Sequence, residues 1–110
     1  MAAVTLDLSL NEGETFIMAM EFWEDDDGTI PADITNNSFD GAFKIGQKYI
    51  PMTIIVKDAS TNVIEATVSY DLMTDLGLVG RYDIEMLQDG EKFRIIQGAV
   101  RISKEVTGAL

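Results

Sequence analysis

Apolar and polar side chains alternate along most of the chain. In the segment LDLSL, residues 6–10, the apolar residues Leu6, Leu8 and Leu10 are separated by single polar residues. Successive side chains of a β-strand point to opposite faces, so this period of two predicts a strand with one buried face. The same alternation recurs further along, with the inward positions Phe16, Met18, Met20 and Phe22, then Phe39, Phe43 and Ile45, then Met52, Ile54 and Val56, then Ile64, Ala66, Val68 and Tyr70, then Tyr82, Ile84 and Met86, and finally Phe93, Ile95, Val100 and Ile102.

Two segments depart from simple alternation. In the strand that starts at Phe16, the odd positions Ile17, Ala19 and Trp23 are not strongly polar, which indicates cover on both faces. The segment DLMTDLGLVG has apolar residues at helical spacing, and it predicts one or two helical turns near residues 71–79 that cross between sheets.

Turn residues punctuate the strands. Asp89-Gly90 between two alternating runs is a strong hairpin signal, and the segment ASTN, residues 59–62, reads as another turn. In the last strand the apolar phase slips by one residue between Ile95 and Val100. Gly98 lies inside the slip, so we expect a β-bulge there.

The spacing of strands and turns predicts the fold class. About seven or eight short strands, with one helical turn, are typical of an all-β sandwich or barrel, and we expect a single antiparallel, immunoglobulin-like β-sandwich. We find no repeat, low-complexity tract or linker in the sequence, so residues 1–110 are expected to form one domain.

Composition narrows the chemistry. The chain has no cysteine and no histidine, which excludes disulfides, thiolate nucleophiles, imidazole bases and metal sites built on those ligands. Chemistry by carboxylate, lysine or tyrosine side chains stays open, with Asp25 and Asp27 as the candidates for a small enzyme, but the most useful catalytic residue near neutral pH is missing. We expect no cofactor and no enzyme activity.

The charge balance indicates the kind of partner. With 8 basic and 19 acidic residues the formal net charge is −11, which disfavours binding to nucleic acid and to anionic membranes and suits a basic protein surface. The N-terminus lacks the basic start and apolar core of a signal peptide, and no apolar run approaches the roughly 18 residues of a spanning helix. A soluble protein made in a cytoplasm is expected.

The segment EDDDGTIPADIT, residues 24–35, is the most acidic stretch. It does not fit a calcium-binding EF-hand, because with Gly28 at the sixth position Ile34 stands where a bidentate Glu is required. A looser calcium site at Asp25, Asp27 and Asp33 is a weaker alternative. The favoured interpretation is a solvated turn between strands, centred on residues 26–28.

Some stretches resemble a known family. NEGETF, the D-G turn followed by ADIT, the segment ending in GRYDIEM, and QDGEKFRIIQGAVRIS together resemble the small β-sandwich domain at the N-terminus of phage baseplate upper proteins and related tail-fibre anchoring proteins. The resemblance covers about residues 5 to 107 and transfers no catalytic residue. Family members often continue into a coiled coil or a receptor-binding head, whereas this sequence stops at Leu110, which suggests a separate small virion protein.

The resemblance implies a structural role in a bacteriophage virion. The chain would be an adaptor or decoration module on a tail, baseplate or head-proximal surface, present in multiple copies of a symmetric assembly and docked onto other virion proteins. The expected contact residues are Leu6, Leu8, Leu10, Trp23, Asp25, Asp26, Asp27 and Val106, the last within the C-terminal KEVTGAL segment. The alternative function is a carbohydrate-binding or calcium-dependent module that uses Trp23 and Tyr49 as stacking platforms.

Overall fold

The computed structural model describes residues 3–57 and 61–106, which form strands in two sheets. The ASTN turn lies partly outside these residues, as does the end of the KEVTGAL segment. The elements are β1 (Val4–Thr5), β2 (Leu8–Asn11), β3 (Phe16–Glu21), β4 (Ser38–Ile45), β5 (Lys48–Pro51), β6 (Thr53–Val56), β7 (Val63–Val68), a 3₁₀ helix (Tyr70–Leu72), β8 (Val79–Gln88) and β9 (Glu91–Ser103).

The strand order identifies the fold. The larger sheet has the order β1-β9-β8-β4-β5 with β2 also on β9, and the smaller sheet has the order β3-β7-β6. These neighbours match the G-F-C-C′ and B-E-D strands of the variable-type immunoglobulin sandwich. The chain is therefore an all-β, immunoglobulin-like sandwich, as the alternation predicts. The larger sheet is mixed, not purely antiparallel, because β1 and β2 run parallel to β9.

The first two strands form one interrupted ribbon. Val4 pairs with Ile96 and Leu8 pairs with Val100, so the register on β9 is the same before and after the break. The ribbon is interrupted at Leu6 and Asp7. The Leu6 carbonyl accepts a hydrogen bond from the Tyr82 hydroxyl of β8 at 2.5 Å, and the Asp7 carboxylate accepts one from the Ala99 amide of β9 at 2.9 Å.

The core lies between the sheets and contains most of the predicted inward positions. Phe43 is fully buried, and its ring meets those of Phe16 edge-on at 4.9 Å and Tyr82 at 5.9 Å. Aromatic pairs in these arrangements add to the free energy of apolar burial. The other buried apolar residues are Ile34, Ile45, Ile50, Met52, Ile64, Ala66, Val68, Met73, Leu76, Ile84, Met86, Ile95, Ile96, Val100 and Ile102.

The predicted bulge at Gly98 is wrong. The register between β8 and β9 shifts where Ile84 pairs with Ile96 and Glu85 pairs with Arg94, which leaves Ile95 as the extra residue. Ile95 and Ile96 are both buried. A bulge turns two consecutive side chains toward one face. The bulge at Ile95 therefore accounts for the shift in apolar phase, and the strand needs no bulge at Gly98.

Three smaller expectations also change. The outer face of β3 is not covered, since Ile17 is 63% exposed. The segment around Met52 is two strands, because the chain leaves β5 in one sheet and enters β6 in the other. The helical turn is limited to Tyr70–Leu72, and Tyr70 is exposed instead of facing inward.

Candidate functional site

The acidic stretch forms a closed loop at one end of the sandwich. Trp23 and Pro31 are joined as an isolated β-bridge, and the Glu24 amide donates to the Ile30 carbonyl at 2.8 Å. Gly28 has φ of +68°, a conformation that glycine adopts without a steric penalty. The loop is the turn between strands that the sequence predicts.

The Asp25 carboxylate stabilises this loop from inside. Its Oδ1 accepts hydrogen bonds from the amides of Thr29 and Ile30, both at 2.9 Å, and its Oδ2 accepts from the Thr29 hydroxyl. These hydrogen bonds lower the pKa of Asp25 below its ordinary value, and the bond from the Thr29 hydroxyl has the largest effect. The carboxylate is thus occupied by its own backbone.

The three candidate calcium ligands do not converge. Asp33 is engaged locally, because its Oδ1 accepts from the Thr35 hydroxyl at 2.7 Å and from the Thr35 amide at 3.0 Å, which lowers its pKa. Among residues 3–57 and 61–106, no group of three or more His, Cys, Asp or Glu side chains could hold a metal ion. The geometry gives the loose calcium site at Asp25, Asp27 and Asp33 no support.

The two candidate stacking platforms lie apart. Trp23 is 41% exposed at the loop, where its ring lies beside Gly28. Tyr49 is 65% exposed on β5, opposite Lys44. Trp23 therefore belongs to the end where β3 stops, whereas Tyr49 lies on the larger sheet.

The predicted N-terminal contact strand lies at an open edge. β2 pairs only with β9, and β3 pairs only with β7, so within the described residues each strand has a second edge without a strand partner. In the immunoglobulin fold a further strand, A, covers this edge of the smaller sheet. Here the described residues supply no such strand.

A groove of about 260 Å³ runs between these two edges, and we call it the open seam. Its apolar lining includes Leu8 and Leu10 from β2 and Phe16 and Met18 from β3, with Met73 beneath them. Leu6 lies outside the lining, at the break between β1 and β2. The seam thus joins two of the predicted contact residues to side chains that the sequence assigns to the core alone.

A carboxylate fixes one end of the seam. Glu12, in the turn between β2 and β3, accepts hydrogen bonds from the Leu76 amide at 2.8 Å, the Glu105 amide at 3.1 Å and the Lys104 ammonium at 2.8 Å. The bond from Lys104 is the largest of several effects that lower the pKa of Glu12 to about 2. Sequence reasoning missed this site, because Glu12 and Lys104 are distant along the chain and nothing in the local pattern of either segment points to the other.

The other predicted contacts are exposed without converging. Val106 is 89% exposed at a bend after β9. Asp26 and Asp27 are exposed at the tip of the acidic loop. None of these three residues lines the seam.

A second concave surface, also missed by sequence reasoning, lies on the outer face of the larger sheet. It encloses about 540 Å³ and is lined by residues of both charge signs together with Tyr49. Cross-strand neighbours come from segments far apart in sequence, so strand pairing alone brings them together. No helix in the described part of the chain is long and apolar enough to cross a membrane.

Comparison with known proteins adds similar solved structures but no family. No protein-family model and no curated protein sequence matches the chain. It is similar to the BTLA ectodomain, with a TM-score of 0.48 and 9% identity over 88% of this chain and 89% of that one. It is also similar to an uncharacterised protein from Bacillus anthracis str. Ames, with a TM-score of 0.47 and 11% identity over 94% of this chain and 85% of that one. A third similar structure is the extracellular fragment of novel immune-type receptor 11 from Ictalurus punctatus, including its stalk region. Its TM-score is 0.41, and the identity is 8% over 97% of this chain and 88% of that one. Likenesses this distant carry no argument about function, and the fold assignment rests on the strand order.

Proposed function

We propose that this chain is a structural bacteriophage virion protein, an adaptor or decoration module that docks onto neighbouring virion proteins. The stretches that resemble phage baseplate and tail-fibre anchoring domains support this role. So does the strong negative charge, which suits a basic neighbour.

The open seam is the observation that carries the docking mechanism. In the described part of the chain, two strand edges without strand partners flank an apolar groove. A partner strand can add to such an edge through backbone hydrogen bonds while its side chains enter the groove. Strand addition gives affinity from the backbone and specificity from alternate side chains. Leu8, Leu10 and Met18 are half-buried in the groove and would become fully covered.

The charges near the seam define the partner strand. Glu14 lines the groove just before β3 begins, and Glu21 ends β3 outside the lining, so a carboxylate lies at each end of β3. A complementary strand alternates apolar residues, which enter the groove, with Lys or Arg residues, which meet these carboxylates. The partner is therefore a virion protein that contributes an extended basic segment.

The experiment has two stages. Mass spectrometry of purified virions from the source measures the copy number of the chain against the major capsid protein. We expect stoichiometric amounts, in multiples that suit a three-, five- or six-fold assembly. Absence from the particle would overturn the virion role.

The second stage tests the seam. Ile17→Lys places a charge on the exposed edge strand β3, and such charges block edge pairing. Ile55→Lys is the matched control, because Ile55 is exposed to a similar degree on the outer face of the same sheet, on β6 at its far side. We expect particles to lose the Ile17→Lys chain and to keep the Ile55→Lys chain, both folded by circular dichroism. Normal incorporation of both variants would exclude strand addition at the seam.

A further inference from the structure

One row of side chains crosses four strands on the outer face of the larger sheet. Tyr49 on β5 is opposite Lys44 on β4, Lys44 is opposite Arg81 on β8, and Arg81 is opposite Ala99 on β9. Directly opposed residues have Cβ atoms about 4.5–5.5 Å apart, and like charges in that arrangement are destabilising. The pairing of Lys44 with Arg81 is therefore unfavourable in the free protein.

Neither cation is neutralised within the described residues. The ion pairs there join other groups: Lys57 to Glu65, Arg94 to Asp83, and Lys104 to Glu12. Within the described residues, the Lys44 ammonium donates a hydrogen bond to the Gln47 carbonyl at 3.4 Å. In a chain with 19 acidic residues and 8 basic ones, two adjacent cations without a carboxylate are conspicuous.

The surroundings of the pair form a binding surface. Lys44, Arg81 and Tyr49 line the concavity of about 540 Å³, whose low points are the small residues Ala42 and Ala99. The carboxylates that also line it are engaged: Asp7 accepts a hydrogen bond from the Ala99 amide, and Asp83 pairs with Arg94 at 3.5 Å. An anion that enters the concavity therefore meets two cations that form no ion pair within the described residues.

We propose that this concavity binds a sugar that carries a carboxylate, a hexuronic acid residue. Lys44 and Arg81 bind the carboxylate, since charge-assisted hydrogen bonds are the stronger kind. The exposed face of Tyr49 stacks on the apolar face of the ring. At the same surface, the Asp83 carboxylate accepts a hydrogen bond from one ring hydroxyl, and the Gln97 amide group donates one to another.

Two physical arguments favour this occupant over others. β4 and β8, which carry the two cations, are each paired on both sides, so a peptide strand cannot pair with the backbone beside them. A singly charged carboxylate is also repelled less by the net charge of −11 than a phosphate group with two charges. The site is independent of the open seam, which lies between other strands.

The test is an NMR titration of the full chain, labelled with ¹⁵N, with methyl glucuronide. Methyl glucoside, which lacks only the carboxylate, and acetate, which lacks the ring, are the matched probes. We expect saturable amide shifts at Tyr49, Lys44, Arg81 and Ala99 with the glucuronide, and binding at least about tenfold weaker with either comparison probe, as loss of a charged hydrogen bond implies. Equal binding of acetate would reduce the site to an anion site and overturn the proposal, as would an absence of saturable shifts.

Variants place the interaction. Arg81→Gln is expected to weaken glucuronide binding by about tenfold. Lys92→Gln removes the same charge elsewhere on this face, where Lys92 is opposite Leu87, and is expected to leave binding unchanged. Equal loss in both variants would show a nonspecific charge effect and overturn the proposal. Ile17→Lys is expected to bind the glucuronide as the parent chain does. Particle incorporation therefore tests the open seam alone, and glucuronide binding tests this concavity alone.

Discussion

The Lys104 ammonium lies 2.8 Å from Glu12 Oε2 and donates a second hydrogen bond to the Leu76 carbonyl. Glu12 lies in the turn between β2 and β3, Lys104 directly follows β9, and Leu76 lies in the loop before β8. One carboxylate and one ammonium thus join the three segments that surround the end of the open seam. The Glu12 side chain is 9% exposed, so solvent competes little for these bonds.

Acid should weaken the fold through Glu12. Its pKa is about 2 in the folded chain against an ordinary value of 4.5. A lowered pKa means that the stabilisation is complete above about pH 4.5 and is lost as the pH falls toward 2. Urea unfolding from pH 2 to 7 should show Glu12→Gln with a lower midpoint than the parent chain at neutral pH, and the difference should close at acid pH.

Glu14→Gln is the control, because Glu14 is exposed and, within residues 3–57 and 61–106, accepts a hydrogen bond from the Asn11 side chain alone. It should show no such pH-dependent difference. A difference between Glu12→Gln and the parent that stays constant down to pH 2 would contradict the assigned role of the carboxylate.

Gly98 allows the N-terminal ribbon to approach β9. A β-carbon at Gly98 would lie 2.0 Å from the Leu6 carbonyl oxygen, which is backbone and cannot move aside alone. Gly98→Ala should therefore lower the free energy of unfolding by about 1–3 kcal/mol, the usual cost of overpacking. Chemical denaturation measures this, with Gly77→Ala as the control, since a β-carbon there meets nothing closer than 3.9 Å.

The Tyr82 hydroxyl donates a hydrogen bond to the Leu6 carbonyl. Tyr82→Phe removes its 2.5 Å bond to Leu6 and should cost about 1 kcal/mol. Hydrogen exchange should accelerate at the Leu6 amide, which donates to the Gln97 carbonyl at 2.9 Å. Unchanged exchange at Leu6 would mean that Tyr82 does not fix the ribbon.

Phe43 should dominate the stability of the core. Its ring is fully buried against Phe16 and Tyr82, so Phe43→Ala is expected to cost about 3–5 kcal/mol. Ile55→Ala removes an exposed side chain from the same molecule and should change the free energy of unfolding by no more than about 0.5 kcal/mol. Similar costs for both variants would contradict the assignment of the core.

The acidic loop should depend on Asp25 and not on calcium. Asp25→Ala removes the acceptor for the amides of Thr29 and Ile30, and their hydrogen exchange should rise. Asp26→Ala is the control, since exposed Asp26 makes no hydrogen bond in the described part of the chain. Millimolar calcium should leave the Tm of the parent chain unchanged, and a rise in Tm would revive the loose metal site.

The sequence by itself determined the strands, the hairpin at Asp89-Gly90 and nearly all of the buried face. A period of two is a local property, set by the geometry of one extended segment, and it survives whatever the segment packs against. The acidic turn was also local, because Asp25 and Asp33 bond to residues within five positions of themselves.

Only the tertiary structure decided the rest. The bulge at Ile95, the exposure of Ile17 and the parallel pairing of β2 with β9 depend on which strand lies beside which. The open seam, the Glu12–Lys104 pair and the row from Tyr49 to Ala99 each join residues that are distant in sequence. Sequence periodicity indicates which side chains face inward, but strand register and sheet order determine which of these side chains meet. Register and sheet order are in turn set by interactions between the assembled strands.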